Sequence, residues 1–188
     1  CSGKTALAKC LMKKLGQDNC SLIQLDSYYN DLSHLTPKET EMHNYDHPDA
    51  LEKELLIEHV SNIADGENIY VPVYDYVTHT RTQEKKLLKP VKFIFVEGLF
   101  CFYWERLRKI FNTTVFISVK DSVCFNRRIE RDTKERGVTR EYVLKQYKTT
   151  VRPMFNKFIK PTRVYANVIV NGEDLLEKSA CTILKVFE

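Results

Sequence analysis

With 188 residues, 43% of them hydrophobic and 29% charged, the chain has the composition of a soluble globular protein of one domain. Disordered, collagen-like and small disulfide-stapled classes are thereby excluded. Lys and Arg outnumber Asp and Glu by 29 to 25, and so mild an excess argues against a nucleic-acid partner.

In chain order, Ser2-Gly3-Lys4-Thr5 runs directly into a predicted helix over 5–15, with Ala6, Leu7, Leu11 and Leu15 on its apolar face and Gly16 as its stop. A short buried strand over 21–25 ends at Asp26. The next helix is expected over 49–64, with Asp49 in its first turn. Residues 69–76 alternate as a strand, and 86–92 return beside it. Joined through 77–84, they make a β-ribbon over about 69–92 that projects from the sheet. A second buried strand, 93–96, ends at Glu97-Gly98; a third covers 114–119. Helices follow over 122–136 and 140–159, the latter interrupted at Arg152-Pro153. A strand over 168–170 and a helix over 174–187 close the chain. Strands alternating with amphipathic helices predict an α/β fold with a parallel sheet.

The six cysteines form no Cys-x-x-Cys pair and none has a His at zinc-ligand spacing, which reads as a reduced, cytoplasmic protein. The most apolar stretch, 93–104, is broken by Glu97 and is too short to span a bilayer, so no membrane association is expected. No signal peptide is visible.

Ser2-Gly3-Lys4-Thr5 is the back half of a phosphate-binding loop. Backbone N–H groups freed by glycine curl around phosphate oxygens, and the helix N-terminus adds its positive end. Lys4 would reach the β- and γ-phosphates, and the Thr5 hydroxyl would ligate Mg²⁺. Four such residues also recur by chance, so the tetrapeptide is weak on its own. The full pattern needs a glycine five positions before Gly3 and a preceding strand; both are expected upstream of the given sequence. Asp26 and Glu97 end buried strands, where ligands bind in open parallel sheets. An Asp there can take a proton from an acceptor hydroxyl, and a Glu can hold Mg²⁺ or its water. Each could equally be a turn residue. Asn44-Tyr45-Asp46-His47-Pro48-Asp49-Ala50 and 71–81 interleave aromatics with Asp and His, which suits a sugar and a flat base.

Taken with Gln24-Leu25-Asp26-Ser27-Tyr28-Tyr29, Glu97-Gly98, Arg127-Arg128-Ile129-Glu130-Arg131-Asp132, Glu135-Arg136-Gly137, Gln146-Tyr147 and Val151-Arg152-Pro153-Met154, these blocks resemble the uridine kinase (uridine–cytidine kinase) family of P-loop kinases. The resemblance runs from Ser2 to about Gly172. It implies a three-layer α/β/α kinase domain with the ribbon over a nucleoside site and a helical lid at about 122–138. It also implies transfer of the γ-phosphoryl group of ATP or GTP to the 5′-hydroxyl of uridine or cytidine, with Mg²⁺, and a homo-oligomer, often a tetramer. By the same resemblance Ser2, Gly3, Lys4 and Thr5 hold the nucleotide, and Thr5 and Glu97 serve the metal. Asp26 is the base, and Arg131 and Arg136 are lid arginines. Asp46 and Arg128 hold the ribose, Tyr74, Tyr76 and His79 form the base pocket, and Gln146 is a further nucleoside contact. Val138 stands where the family usually has a basic residue, which bears on uridine against cytidine preference. For the arginine-rich stretch, a solvated helix face paired with Glu130, Asp132 and Glu135 is the competing reading. Two other functions compete: a related P-loop kinase with another acceptor, such as phosphoribulokinase, and a catalytically inactive nucleoside-binding subunit.

Overall fold

The structure, a computed structural model, describes residues 1–76 and 78–186. Its first elements are α1 (Lys4–Leu15), β1 (Cys20–Gln24), α2 (Pro37–Met42) and α3 (Lys53–Ala64). Then come β2 (Ile69–Asp75), β3 (Thr80–Leu88), β4 (Phe93–Glu97) and α4 (Glu105–Arg108). The remainder is β5 (Val115–Ser118), α5 (Asp121–Glu135), α6 (Arg140–Gln146), α7 (Arg152–Met154), β6 (Val168–Asn171) and α8 (Leu176–Leu184). Among the described residues no helix is long and apolar enough to cross a membrane.

The chain divides into two units, one made of residues 1–11 with those from 112 onward, the other Met12–Phe111. In the second unit β1 and β4 pair in parallel, Cys20 opposite Phe93 and Gln24 opposite Glu97. Parallel strands at equal register end side by side, so the tips carrying Asp26 and Glu97 are neighbours. Ile23, Leu25, Tyr28, Leu56, Ile63, Phe100 and Leu107 are among the most deeply buried side chains of this unit. The ribbon is β2 and β3, antiparallel, with Ile69 opposite Leu88 and Asp75 opposite Thr80. Its return strand therefore starts before 86 and ends before 89, because pairing begins directly after the turn. Val77, the first residue of the predicted connection over 77–84, lies outside the described residues.

In the first unit β5 and β6 form another parallel pair, Val115 opposite Val168 and Ser118 opposite Asn171. Val143, Ala180 and Ile183 are fully buried there.

Three further expectations need correction. The helix over 49–64 starts only at Lys53; Pro48–Ala50 is a separate 3₁₀ turn, capped where His47 Nδ1 accepts from the Asp49 N–H at 3.2 Å. Pro153 does not interrupt 140–159. Wider π-helical turns at Tyr147–Val151 and Phe155–Ile159 flank α7, and they leave room for a ring that a regular helix would press against the Thr149 carbonyl. The closing helix is the shorter α8, Leu176–Leu184, and Phe187 lies outside the described residues.

Two short helices had no counterpart among the predicted elements, α2 and α4. The first carries a complete capping box. Thr36 Oγ1 accepts from the Glu39 N–H, and Glu39 accepts from the Thr36 N–H at 2.9 Å.

Candidate active site

In the second unit, the predicted residues gather around a tyrosine that the sequence reading passed over. Burial pushes the Tyr29 phenol well above its ordinary pKa, and the nearby carboxylates of Asp26 and Asp46 push it the same way, followed by Tyr76 and Tyr74. One ring thus reports Asp26, at the tip of β1, and Asp46 within the same electrostatic neighbourhood. Asp26 itself is solvent-exposed, whereas Asp46 is buried at 9% exposure. The Asp46 N–H donates to Asn44 Oδ1 at 3.1 Å, which fixes the turn that presents it.

The tip of β4 is held to the tip of β1 by its side chains. Gln24 Nε2 donates to Glu97 Oε1 at 3.0 Å. Gly98 then passes so close to Leu25 that a Cβ on it would lie 2.4 Å from the Leu25 Cβ. Only a glycine permits this approach.

Aromatic rings line the same region. Tyr29 meets Tyr45 edge-on at 5.8 Å and Tyr74 at 5.4 Å; Tyr74 in turn meets Tyr76 at 5.4 Å. Tyr45 stacks on His79 with centroids 4.7 Å apart and planes 25° from parallel. His79 has φ 57°, the only positive φ outside glycine among the described residues, and such backbone strain clusters at ligand-binding sites. The Tyr74 hydroxyl is buried with no hydrogen-bond partner among the described residues, and its pKa is raised, mainly by burial. An orphaned buried hydroxyl costs about 1–3 kcal/mol, a cost that a bound polar ligand would remove.

The ribbon is fastened to the Asp26 turn by Arg81. Its Nε donates to the Tyr29 carbonyl at 3.0 Å, its Nη2 to the Tyr28 carbonyl at 3.1 Å, and its Nη1 pairs with Glu52. The ribbon and the turn carrying the exposed carboxylate are therefore one mechanical piece.

In the first unit α1 begins at Lys4, directly after Gly3 at φ 94°, a left-handed conformation that turns the loop into the helix; the Gly3 carbonyl accepts from the Leu7 N–H at 2.9 Å. Thr5 sits in the first helical turn. A Cβ on Gly172 would lie 2.8 Å from the Ser2 carbonyl oxygen, and the Gly172 carbonyl also accepts from α5, so the loop and α5 meet at the tip of β6. Arg128 Nη2 donates to Gln146 Oε1 at 2.9 Å, tying α5 to α6. Arg127 is turned elsewhere, donating to the Gly172 carbonyl at 3.0 Å.

Each predicted residue thus falls into one of two clusters. Ser2, Gly3, Lys4, Thr5, Arg128, Arg131, Arg136 and Gln146 belong to the first unit; Asp26, Asp46, Tyr74, Tyr76, His79 and Glu97 belong to the second. Missed by the sequence reading were Tyr29, Tyr45, Arg81 and Asp132. Tyr29 and Tyr45 stand beside Asp26 and Asp46 in the quoted blocks, and that adjacency was the available signal.

A Gly3-Lys4-Thr5 turn opening a helix, in an α/β fold with parallel strand pairs, is the architecture of the P-loop kinases. Solved structures agree on the fold. D-glycerate 3-kinase from Cryptococcus neoformans var. grubii superposes with a TM-score of 0.63 at 16% identity, over 88% of this chain and 80% of that one. Phosphoribulokinase from Rhodobacter spheroides gives 0.67 at 12%, over 88% and 64%. Residues 1–174 match the phosphoribulokinase/uridine kinase family, and the chain belongs to it. Among its relatives are the uridine kinases of Vibrio vulnificus (strain YJ016), 44% identical, and Histophilus somni (strain 2336), 42% identical; each match spans 90% of this chain and 81% of the relative.

Proposed function

We propose that this protein is a uridine/cytidine kinase, transferring the γ-phosphoryl group of ATP or GTP to the nucleoside 5′-hydroxyl to give UMP or CMP. The observation that carries the choice of acceptor is the cluster of rings and carboxylates around Tyr29. An exposed carboxylate and a buried one adjoin a set of aromatic rings, as a ribose linked to a flat base requires. A sugar phosphate would have no use for stacked rings, which disfavours a phosphoribulokinase-type acceptor. Retention of Lys4, Thr5, Asp26 and Glu97 disfavours an inactive binding subunit.

In the proposed reaction Asp26 accepts the proton of the 5′-hydroxyl as its oxygen bonds to the γ-phosphorus and the bond to the bridging oxygen of ADP breaks. Charge is spread over the γ-oxygens at that moment, so positioned cations supply most of the catalysis. Lys4, Arg131 and Arg136 are the cations assigned to it. Asp46 and Arg128 hold the ribose hydroxyls, with Gln146 beside Arg128. Tyr74, Tyr76 and His79 contact the pyrimidine. The Thr5 hydroxyl and the Glu97 carboxylate are hard oxygen donors of the kind Mg²⁺ takes alongside phosphate oxygens. They would hold that ion, which would neutralise charge on the donor's phosphates.

The test is ADP release by the full-length protein with uridine, cytidine, adenosine and ribulose 5-phosphate. Uridine and cytidine should support turnover and the other two should not. Asp26→Asn should lower kcat with uridine by about 10²–10⁴-fold while leaving nucleoside affinity within a few-fold. Preference for ribulose 5-phosphate, or near-normal turnover by the variant, would overturn the assignment.

A further inference from the structure

Asp132 has no part in the reaction as proposed, yet it is the most buried charged residue among those described, at 2% exposure. Three guanidinium groups converge on its carboxylate. Arg131 Nε and Nη2 each lie 2.8 Å from Oδ1, Arg128 Nε lies 3.2 Å from Oδ2, and Arg136 Nε lies 3.6 Å from Oδ1. Its main chain takes part as well. The Asp132 carbonyl accepts from the Arg136 N–H at 3.2 Å and from the Val138 N–H at 3.3 Å, across the reversal at Gly137. This is not a solvated helix face. Glu130 behaves in that way, pairing with Lys134 at 2.7 Å in full solvent.

We infer that Asp132 is a positioning residue that gathers Arg128, Arg131 and Arg136 into one preformed cluster beside the phosphate loop. Three like charges near Lys4 would otherwise repel one another and splay into water. A single buried carboxylate offsets part of that repulsion; the hydrogen bond from Arg131 Nε at 2.8 Å fixes that fork, and Arg128 and Arg136 are drawn to the same carboxylate by charge. Fixing the cations before the donor binds removes the ordering cost that each long side chain would otherwise carry into the transition state. One buried negative charge shared among three positive ones leaves the cluster positive overall, so phosphate oxygens are still attracted to it.

This rests on the proposed roles of Arg131 and Arg136 at the transferring group and of Arg128 at the ribose, and the experiment separates the two claims. Full-length wild type, Asp132→Asn and Asp132→Glu are compared in steady-state ADP release with uridine and ATP·Mg²⁺. They are also compared by the side-chain Nε–H signals of ¹⁵N-arginine-labelled protein without substrates. Asp132→Asn keeps the shape and removes the charge. It should lower kcat at least tenfold and raise the KM for ATP at least threefold, and the Nε–H signals of Arg128 and Arg131 should lose their protection from solvent exchange. Asp132→Glu, which restores the charge one methylene away, should recover part of kcat and of the protection. An Asp132→Asn protein with kcat and ATP KM within threefold of wild type, or with unchanged arginine signals, overturns the inference. If Asp132→Asn does not fold, Asp132→Glu decides alone: a kcat loss of threefold or more supports the inference and a smaller one overturns it. Failure of the kinase assignment shows separately, as wild-type protein that releases no ADP with uridine.

Discussion

The Tyr28 hydroxyl lies 2.9 Å from His59 Nδ1, and both groups are sheltered on one side of α3. Burial raises the phenol's pKa, so Tyr28 donates and His59 Nδ1 accepts. Burial likewise holds His59 and His43 below the ordinary histidine value of about 6.5. As pH falls, the unfolded chain therefore takes up protons first. Stability is intact above about 6.5 and declines as pH drops from there through the folded-state values. Thermal melts should show Tm falling between pH 7 and pH 5. His59→Gln keeps an acceptor for Tyr28 but cannot titrate, so its Tm should fall less over that interval. An unchanged pH slope in the variant would exclude His59 as a source. At His79 the expectation concerns binding. With its ring stacked on Tyr45, it is assigned to the base and not to the transferring group. His79→Ala should raise the uridine KM roughly tenfold, the worth of one or two lost contacts, with kcat within threefold. A loss confined to kcat would remove the ribbon from the base pocket.

At the scale of elements, the ribbon and the 25–28 turn are joined by Arg81, and two effects compete to explain its strength. The pair with Glu52 is half exposed on the acid's side, and such pairs contribute about 0–1 kcal/mol. The bonds to the Tyr28 and Tyr29 carbonyls are charge-assisted and less accessible to solvent, so their loss should dominate. Urea unfolding is expected to show Arg81→Ala destabilised by about 2–3 kcal/mol and Glu52→Gln by under about 1 kcal/mol; equal losses would shift the weight to the ion pair. Gly98→Ala tests the strand tips. Its Cβ would strike Leu25, forcing Asp26 and Glu97 apart, so the variant should lose kcat at least tenfold. The register that makes these tips neighbours is not written in either strand alone; each sequence marks only its own end with an acid. The capping box Thr36-x-x-Glu39 was a local signal for α2, and its residues were legible. The π-turns around Pro153 were not, because only packing against the rest of the first unit selects them over a break. Asp132 shows the same limit more sharply. Helical spacing places it near Arg128 and Arg136, but nothing local distinguishes a buried hub from the solvent-facing pair that Glu130 makes with Lys134.

Across the whole molecule, the cations proposed for the phosphates lie in one unit and the rings proposed for the base in the other, with ribose contacts assigned in both, Asp46 in one and Arg128 in the other. Each ligand should therefore stabilise the folded chain by itself, through mass action. At 100 times its Kd a ligand that binds only the native state adds about 2.7 kcal/mol. For a chain of this size about 1 kcal/mol moves Tm by roughly 2–4 °C, so saturating uridine should raise Tm by about 5–10 °C. Ribulose 5-phosphate at the same concentration should raise it by less than about 2 °C, since the ring pocket gives it nothing to stack on. His79→Ala should weaken the uridine shift while leaving that of ATP·Mg²⁺ intact, and Asp132→Asn should do the reverse most strongly for ATP. A uridine shift insensitive to His79, or an ATP shift lost equally in both variants, would mean that the two ligand chemistries are not apportioned between the two units in this way.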